Sequence, residues 1–257
     1  NNNGLYTVTL TVSDGTNNDT RTRTDYINIS TGGGGGGTCD TLYTPFMNGT
    51  NAVIYTDTSG YLTGTNSWGD LAKAQAYPAP TQAAQIDGII FWLGVVSYNS
   101  GDPNSSLDIL VYDMDGAGTS TAGQVASPGT VLGGGSLALS NLSTLQPIAV
   151  TFQTPVTVSS SYAVGIDMTQ VNSADSVAVY STLQGDAGQT ELAWEQWSGG
   201  EWYTIYSYWG LDADLALIPI ECPQTITSTM PVEMLEDRFS VFPNPNSGTL
   251  NINYLLS

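Results

Sequence analysis

Residues 86–115 read IDGIIFWLGVVSYNSGDPNSSLDILVYDMD, and this stretch decides the fold. Two strongly apolar runs, residues 89–96 and 107–112, flank a polar loop at residues 99–106 that is rich in Asn, Ser, Gly and Pro. Short runs of β-branched and aromatic residues between such turn residues are typical of strands at the centre of an all-β core. We therefore predict a central hairpin here.

Similar short runs recur along the chain, and Gly or Pro turns separate most of them. They lie at residues 52–55, 135–139, 148–152, 162–167, 176–181, 192–197, 202–207 and 214–219. Residues 70–77 (DLAKAQAY) are the best helix candidate. Nine or ten short strands without a convincing helical period predict two packed antiparallel sheets, an all-β, jelly-roll-like sandwich.

The charge balance excludes several classes of partner. The chain has 4 Lys plus Arg against 23 Asp plus Glu, a formal net charge of −19. The four cationic residues are Arg21, Arg23, Lys73 and Arg238. They cannot form the basic patch that a nucleic acid needs, so we expect no nucleic-acid partner.

The sequence has no apolar run of about 18 residues, so we expect no transmembrane segment.

The two cysteines, Cys39 and Cys222, bracket the middle of the chain. In an exported protein such a pair predicts one disulfide that ties together the ends of a single domain. Two free buried thiols are the alternative. Zinc is disfavoured, because two thiols without a histidine fall short of four ligands.

Two flanking segments suggest a modular chain. Residues 1–31 alternate apolar and polar side chains around an Asp-Gly turn, and GLYTVTLTVSDG followed by DYINIS resembles the closing two strands of a PKD domain, an immunoglobulin-like module. The glycine run within residues 32–38 predicts a flexible linker. Residues 39–222 then form the sandwich domain, which is followed by a linker at 223–238.

The sandwich sequence itself resembles a known module. Residues 60–77, 86–94 and 193–220 are similar to a β-sandwich module that recurs in large secreted proteins of Bacteroidetes. The resemblance implies the fold and the setting more than an activity.

Residues 239–257 open with FSVFPNPNSGTLNINY. This resembles the start of the C-terminal sorting domain of the type IX secretion system. The sandwich is therefore expected to be flanked on both sides by partial immunoglobulin-like β modules. The residues that carry the resemblance are Phe242, Pro243, Asn244, Pro245 and Gly248. It implies an extracellular, outer cell-surface location, with the outer-membrane translocon and its shuttle protein as partners.

Acidic turn residues predict a calcium site. Asp102 and Asn104 lie in the loop of the central hairpin, and Asp113 and Asp115 follow its second strand. Calcium takes about six to eight oxygen ligands, which such side chains and loop carbonyls supply. The alternative is that these residues only cap turns.

Aromatic residues crowd into residues 194–209. We predict a sugar-stacking platform made of Trp194, Trp197, Trp202 and Trp209, with packing in the core or on the sheet as the alternative. Glu191, Glu195 and Glu201 surround these rings, but their spacing predicts solvated positions rather than a catalytic pair. The chain has no histidine for Ser-His or Cys-His chemistry, so we expect no catalytic residue.

Two tripeptides, Asp40-Thr41-Leu42 and Asp175-Ser176-Val177, resemble the O-glycosylation site used in Bacteroidetes, which would place glycans on Thr41 and Ser176. Together these features predict a non-catalytic, surface-exposed adhesive or structural binding module. The alternative is an accessory domain of a secreted peptidase or glycosidase. Surface glycans or copies of the chain itself are the expected ligands.

Overall fold

The computed structural model describes residues 4–13, 18–29, 39–41, 52–144, 146–223, 239–242 and 251–254. The chain divides into two compact units. One comprises Gly37–Gln224, and the other combines Asn1–Gly36 with Thr225–Ser257.

The described part of the smaller unit consists of two antiparallel pairs. Strand β1 (Gly4–Ser13) pairs with β2 (Asn18–Ile29), with a bulge between Tyr6 and Val8. This is the pairing expected of residues 1–31. Near the other terminus, a strand at Phe239–Phe242 pairs with one at Asn251–Tyr254.

The described residues of the larger unit form fifteen strands, β3 to β17. In chain order they are β3 (Asp40–Thr41), β4 (Thr56–Asp57), β5 (Gly60–Tyr61), β6 (Ala72–Tyr77), β7 (Ala84–Ser97), β8 (Ser106–Asp113), β9 (Gly116–Ser120), β10 (Gly123–Ser127), β11 (Val131–Ala138), β12 (Pro147–Val158), β13 (Tyr162–Asp167), β14 (Ser176–Val179), β15 (Ala193–Gln196), β16 (Trp202–Thr204) and β17 (Leu217–Pro223). The described residues of this unit also form a 3-10 turn (Leu139–Asn141) and a short helix, α1 (Ile205–Trp209). Among the described residues, no helix has the length and apolar character needed to cross a bilayer.

These strands form two main sheets. The eight-stranded sheet has the order β10-β9-β16-β15-β6-β13-β8-β11, and the five-stranded sheet has the order β12-β7-β17-β3 with β14 also pairing β7. The neighbours pair antiparallel, except that β16 and β9 are parallel. The predicted all-β sandwich is confirmed.

The main core lies between the sheets. Strand β7 contributes Ile89 and Phe91 from the five-stranded sheet, and β8 contributes Leu107 and Ile109 from the eight-stranded sheet. All four side chains are fully buried. Burial of large apolar side chains on this scale supplies the main driving force for folding.

The prediction of a central hairpin at residues 86–115 is wrong, because β7 and β8 lie in different sheets. The polar loop between them carries the chain from one sheet to the other. The buried carboxylate of Asp175 holds this loop, since it accepts hydrogen bonds from the backbone N–H groups of Asn99 and Ser100 and from the hydroxyl of Ser105. Two strands with strongly apolar inner faces therefore meet across the core instead of side by side.

The helix predicted at residues 70–77 is also wrong. Residues 72–77 form strand β6, which lies between β15 and β13 and is buried along its whole length. Its side chains alternate, with Lys73, Gln75 and Tyr77 on one face and small alanines on the other. Tertiary pairing on both edges overrides the helical preference of alanine.

The alanine face of β6 supports a second, smaller core. Ala72, Ala74 and Ala76 pack with Trp194, Trp202 and other rings on the outer face of the eight-stranded sheet. Small side chains in the centre of the sheet leave the volume that large indoles on neighbouring strands fill.

The strand predicted at residues 202–207 ends early, at Thr204. The Thr204 side chain accepts a hydrogen bond from the backbone N–H of Ser207, which caps helix α1 at its N-terminus. Gly210, with φ of 64°, ends the helix in the left-handed conformation. The chain thus turns away from the sheet after only three strand residues.

The predicted disulfide between Cys39 and Cys222 is present, and it joins residues 183 positions apart. It lies where β3 pairs with the end of β17, with Asp40 opposite Glu221. The cross-link therefore ties together the two ends of the sandwich.

Replacing both cysteines (Cys39→Ser with Cys222→Ser) should lower the free energy of unfolding by about 2–5 kcal/mol, because the cross-link restricts a long loop of the unfolded chain. Urea denaturation followed by tryptophan fluorescence measures this. The wild-type chain, reduced and alkylated, should show a similar loss. A double variant as stable as the oxidised wild type would contradict the expectation.

The polar residues of β6 fasten the segment that leads into β17. Gln75 donates to Asp214 Oδ1 at 2.8 Å and accepts from the backbone N–H of Leu215 at 2.8 Å, and the Tyr77 hydroxyl donates to the Leu217 carbonyl at 2.7 Å. Burial raises the pKa of Asp214 to about 6, the nearby charge of Asp212 adds to this, and the Gln75 hydrogen bond opposes it.

Asp214 should therefore make stability depend on pH. Its pKa is raised in the folded state, so folding binds a proton between the unfolded pKa of about 4 and the folded pKa of about 6. Stability from this group is highest below pH 4 and falls by about 3 kcal/mol as the pH rises past 6.

Asp214→Asn isolates this contribution from those of other carboxylates. Hydrogen bonds from Thr130, for example, lower the pKa of Asp115, so the stability that Asp115 contributes changes with pH in the opposite direction. We expect the stability of the Asn variant relative to wild type to increase between pH 4 and pH 7. Thermal unfolding at a series of pH values measures it. A difference that does not change with pH would contradict the expectation.

Candidate functional site

A cleft of about 200 Å³ opens where three segments of the sandwich meet. These are the loop before β6, the turn after β15 and helix α1. The residues that line it are Trp68, Asp70, Trp197, Ser198, Tyr208 and Trp209. Trp68 is 41% exposed and Tyr208 is 54% exposed, so a ligand can reach both rings.

The rings of the cleft contact one another in a continuous run. The centroids of Trp68 and Trp209 are 5.1 Å apart, those of Trp209 and Tyr208 are 5.0 Å apart, and those of Tyr208 and Trp197 are 4.5 Å apart. Tyr208 meets its two tryptophan neighbours at 81° and 85°. Rings at nearly right angles form a corner rather than a flat platform.

Hydrogen bonds of the Asn66 side chain position Trp68. Asn66 Oδ1 accepts from the backbone N–H groups of Gly69 and Asp70, and Asn66 Nδ2 donates to Asp70 Oδ2 at 2.8 Å. Gly69 has φ of 79°, which favours glycine at this tight turn. One asparagine thus fixes both the tryptophan and the carboxylate of this wall.

Local turns also position the other wall. The backbone N–H of Trp197 donates to the Glu201 carbonyl, and the N–H of Gly200 donates to the Trp197 carbonyl. These bonds close the hairpin between β15 and β16. Helix α1 follows at once and presents Tyr208 and Trp209 beside Trp197.

An ion-pair network lies beneath the cleft. Lys73 Nζ lies 2.6 Å from Asp70 Oδ2 and 3.0 Å from Glu195 Oε2. Lys73 and Glu195 are fully buried, on paired positions of β6 and β15. Buried charges of this kind require full pairing, because desolvation of an unpaired charge costs several kcal/mol.

Glu195 also orients two rings of the cleft. Its Oε1 accepts from the indole N–H of Trp197 at 3.0 Å and from that of Trp209 at 2.9 Å. The prediction that Glu195 is solvated is wrong, whereas Glu201 is exposed as predicted. Glu195 therefore acts as a positioning residue that fixes the rings from below.

These contacts limit the chemistry available in the cleft. Both oxygens of Glu195 and the ammonium of Lys73 are already engaged. Asp70 Oδ2 accepts from Lys73 and Asn66, whereas Oδ1 accepts no hydrogen bond from any described residue. The cleft can offer ring faces, one carboxylate oxygen and the Ser198 hydroxyl to a ligand.

Only two of the four predicted stacking tryptophans line this cleft. Trp197 and Trp209 do, but Trp194 and Trp202 are buried in the second core on the outer face of the sheet. Only 3% of Trp194 and 6% of Trp202 is exposed, so they pack instead of binding a ligand. Alternation along β15 accounts for the split, because Trp194 and Trp197 lie on opposite faces.

The structure does not bring the four predicted calcium ligands together. Asp102 and Asn104 precede β8, whereas Asp113 and Asp115 lie at its other end, about 25 Å away along eight residues. Asp102 Oδ1 accepts from the backbone N–H of Asn104, and both oxygens of Asp115 accept from Thr130. The carboxylates of Asp102 and Asp115 thus accept hydrogen bonds from nearby loop residues.

Calcium binding stays a prediction, and an ion held by the predicted ligands would use one end of β8 alone. Within the described residues, one group of three cysteine and acidic side chains is close enough to share an ion, namely Cys39, Asp87 and Cys222. Its two sulfurs are joined in the disulfide, so they are not free ligands.

The two predicted glycosylation sites differ in their surroundings. Thr41 lies on β3, where Asp40 is exposed. Ser176 begins β14, but the preceding Asp175 is buried and its carboxylate accepts from Ser100 and Ser105. Thr41 and Ser176 are both half-buried, and glycosylation at each stays a prediction.

Of the predicted sorting-signal residues, Phe242 ends the strand opposite Asn251. The other four lie outside the described residues, as does the predicted linker at 32–38. They are Pro243, Asn244, Pro245 and Gly248.

Sequence reasoning missed Trp68, Asp70 and the function of Lys73. One signal was available, since Lys73 is the sole Lys or Arg between Arg23 and Arg238. A single cation in a long acidic sequence, placed in an apolar strand, indicates a buried ion pair.

Glu195→Gln should lower the free energy of unfolding by about 3–5 kcal/mol, because it breaks a buried ion pair. Glu201→Gln is the matched control, since Glu201 is exposed and lies on the same hairpin. Its effect should stay within about 0.5 kcal/mol. Urea denaturation of both variants measures this, and equal losses would contradict the buried network.

Comparison with known proteins identified no match to this chain. No protein-family model matches the chain, and neither a curated protein nor a solved structure matches it.

Proposed function

We propose that this chain is a non-catalytic, surface-exposed binding module that captures glycans in its aromatic cleft. The observation that carries the proposal is the corner of exposed rings, held from below by a buried carboxylate. A cleft whose walls are fixed before binding loses little conformational freedom when a ligand enters.

The cleft has the two elements that sugar recognition needs. Rings of Trp68 and Tyr208 are exposed and can stack on the apolar C–H face of a pyranose. Asp70 Oδ1 and the Ser198 hydroxyl lie in the lining and can bind sugar hydroxyls. Ring stacking with a few polar contacts is typical of small ligand sites.

A binding function without catalysis fits the chemistry of the site. The sequence has no histidine to serve as a base. Glu195, the carboxylate nearest the rings, holds two indoles and Lys73. Asp70 alone does not form the pair of carboxylates that glycoside hydrolysis uses.

We further propose export by the type IX secretion system to the outer cell surface. The support is the sequence of residues 239–257 together with the low content of charged residues and the disulfide. An accessory role beside a secreted hydrolase would use the same cleft to hold the enzyme on its substrate.

A second candidate function, adhesion between copies of the chain, has an observation of its own. The edge strands β11 and β12 line a groove of about 630 Å³, and neither strand has a charged residue. Leu132, which lines this groove, and the adjacent Val131 are both exposed. Uncharged edge strands are open to pairing with another chain.

Trp68→Ala and Tyr208→Ala should each weaken glycan binding at least about tenfold, because each removes a stacking surface worth about 1.4 kcal/mol. Binding of the 257-residue chain to an oligosaccharide array, followed by calorimetry on the best ligand, measures this. Leu132→Ala is the control, since it truncates a similarly exposed apolar side chain in the other groove. If all three variants bind like wild type, the cleft is not the glycan site.

A further inference from the structure

The charges around the cleft do not balance. Lys73 pairs with two carboxylates, those of Asp70 and Glu195, which leaves one formal negative charge in excess. Of the two carboxylates, Asp70 lines the cleft and Glu195 lies beneath it. The two carboxylates share this excess charge, and Asp70 brings it to the cleft, since its Oδ1 accepts no hydrogen bond from any described residue.

Nothing in the larger unit offsets this charge. Lys73 is the only Lys or Arg from residue 24 to residue 237, and the chain has a net charge of −19. A carboxylate or sulfate on a ligand would meet no cation in the cleft and would be repelled by the surrounding field. A cationic ligand would be attracted by the same field.

The aromatic rings of the cleft also favour a cationic ligand. The Tyr208 ring lies at nearly right angles to both Trp197 and Trp209, so a compact group in the corner contacts more than one ring. An ammonium group near aromatic faces gains a cation–π attraction. A space of about 200 Å³ can hold one such group together with the sugar ring that carries it, rather than a flat, extended chain.

We propose that the cleft selects glycans that carry a protonated amine, that is, sugars with a free amino group, over neutral, N-acetylated and acidic sugars. The ammonium group contacts Asp70 Oδ1 and the ring corner, and the sugar ring stacks on Trp68 or Tyr208. This inference rests on the proposed glycan-binding function and names the ligand class of the same site.

Calorimetry with four trisaccharides tests the proposal on the 257-residue chain. They are the β-1,4-linked trimers of glucosamine, N-acetylglucosamine and glucose, and a galacturonic acid trimer. We expect the glucosamine trimer to bind at least about tenfold tighter than the other three at a pH where its amines are protonated. The preference should disappear when the pH is raised until the amines are neutral, and it should weaken with added salt.

Asp70→Asn should reduce the preference for the glucosamine trimer over the glucose trimer to near unity, because it removes the carboxylate charge that contacts the ammonium group. Because this substitution also touches the Lys73 network, the pH and salt series on the wild-type chain provide a test that needs no variant. Nα-acetyl-lysine amide supplies an ammonium group without a sugar ring. Binding of that probe as tight as that of the glucosamine trimer would overturn the assignment to an amino sugar.

The outcomes separate the two proposals. Equal binding of the glucosamine, N-acetylglucosamine and glucose trimers would overturn the amine selectivity and leave the glycan-binding function in place. Tightest binding of the galacturonic acid trimer would also overturn the selectivity. Binding of no trimer at all would overturn the glycan-binding function, and the selectivity with it.

Discussion

The buried ammonium of Lys73 is the constraint on which the site depends. It is fully buried in a central strand, so its charge must be neutralised within the protein. Asp70 and Glu195 do this at 2.6 and 3.0 Å. Because Glu195 also accepts two indole N–H groups, the same network that makes the buried charge tolerable sets the positions of Trp197 and Trp209.

The fold provides this arrangement through strand β6. Its alanine face accepts the rings of the second core, and its other face fastens three partners in turn. Lys73 holds the hairpin of β15 and β16, Gln75 holds the segment at Asp214, and Tyr77 holds the start of β17. One strand thereby joins the outer packing of the eight-stranded sheet, the inner core and the cleft.

The sequence predicted the elements better than their partners. Strand periodicity identified β7, β8 and β13 because their apolar runs are long, and alternation placed Glu195 and Trp197 on one face of β15. It could not assign β7 and β8 to different sheets, since pairing depends on distant strands. It also gave residues 70–77 as a helix, because alanine-rich sequence favours a helix until neighbouring strands supply the hydrogen bonds.

The site was half predictable for the same reason. An aromatic surface near residues 194–209 follows from the sequence, but which indoles are exposed depends on what covers each face of the sheet. The second wall, Trp68 and Asp70, lies more than a hundred residues away in the chain. It meets the rings through the contact of Trp68 with Trp209 and through the Lys73 network.

The most direct test of this account is an NMR spectrum of the indole N–H groups in the 15N-labelled chain, which has six tryptophans. The account predicts that Trp197 and Trp209 give downfield, slowly exchanging signals from hydrogen bonds to a carboxylate, and that both signals move in Glu195→Gln but not in Glu201→Gln. Indole signals of Trp197 and Trp209 that exchange rapidly with water and ignore Glu195→Gln would contradict it.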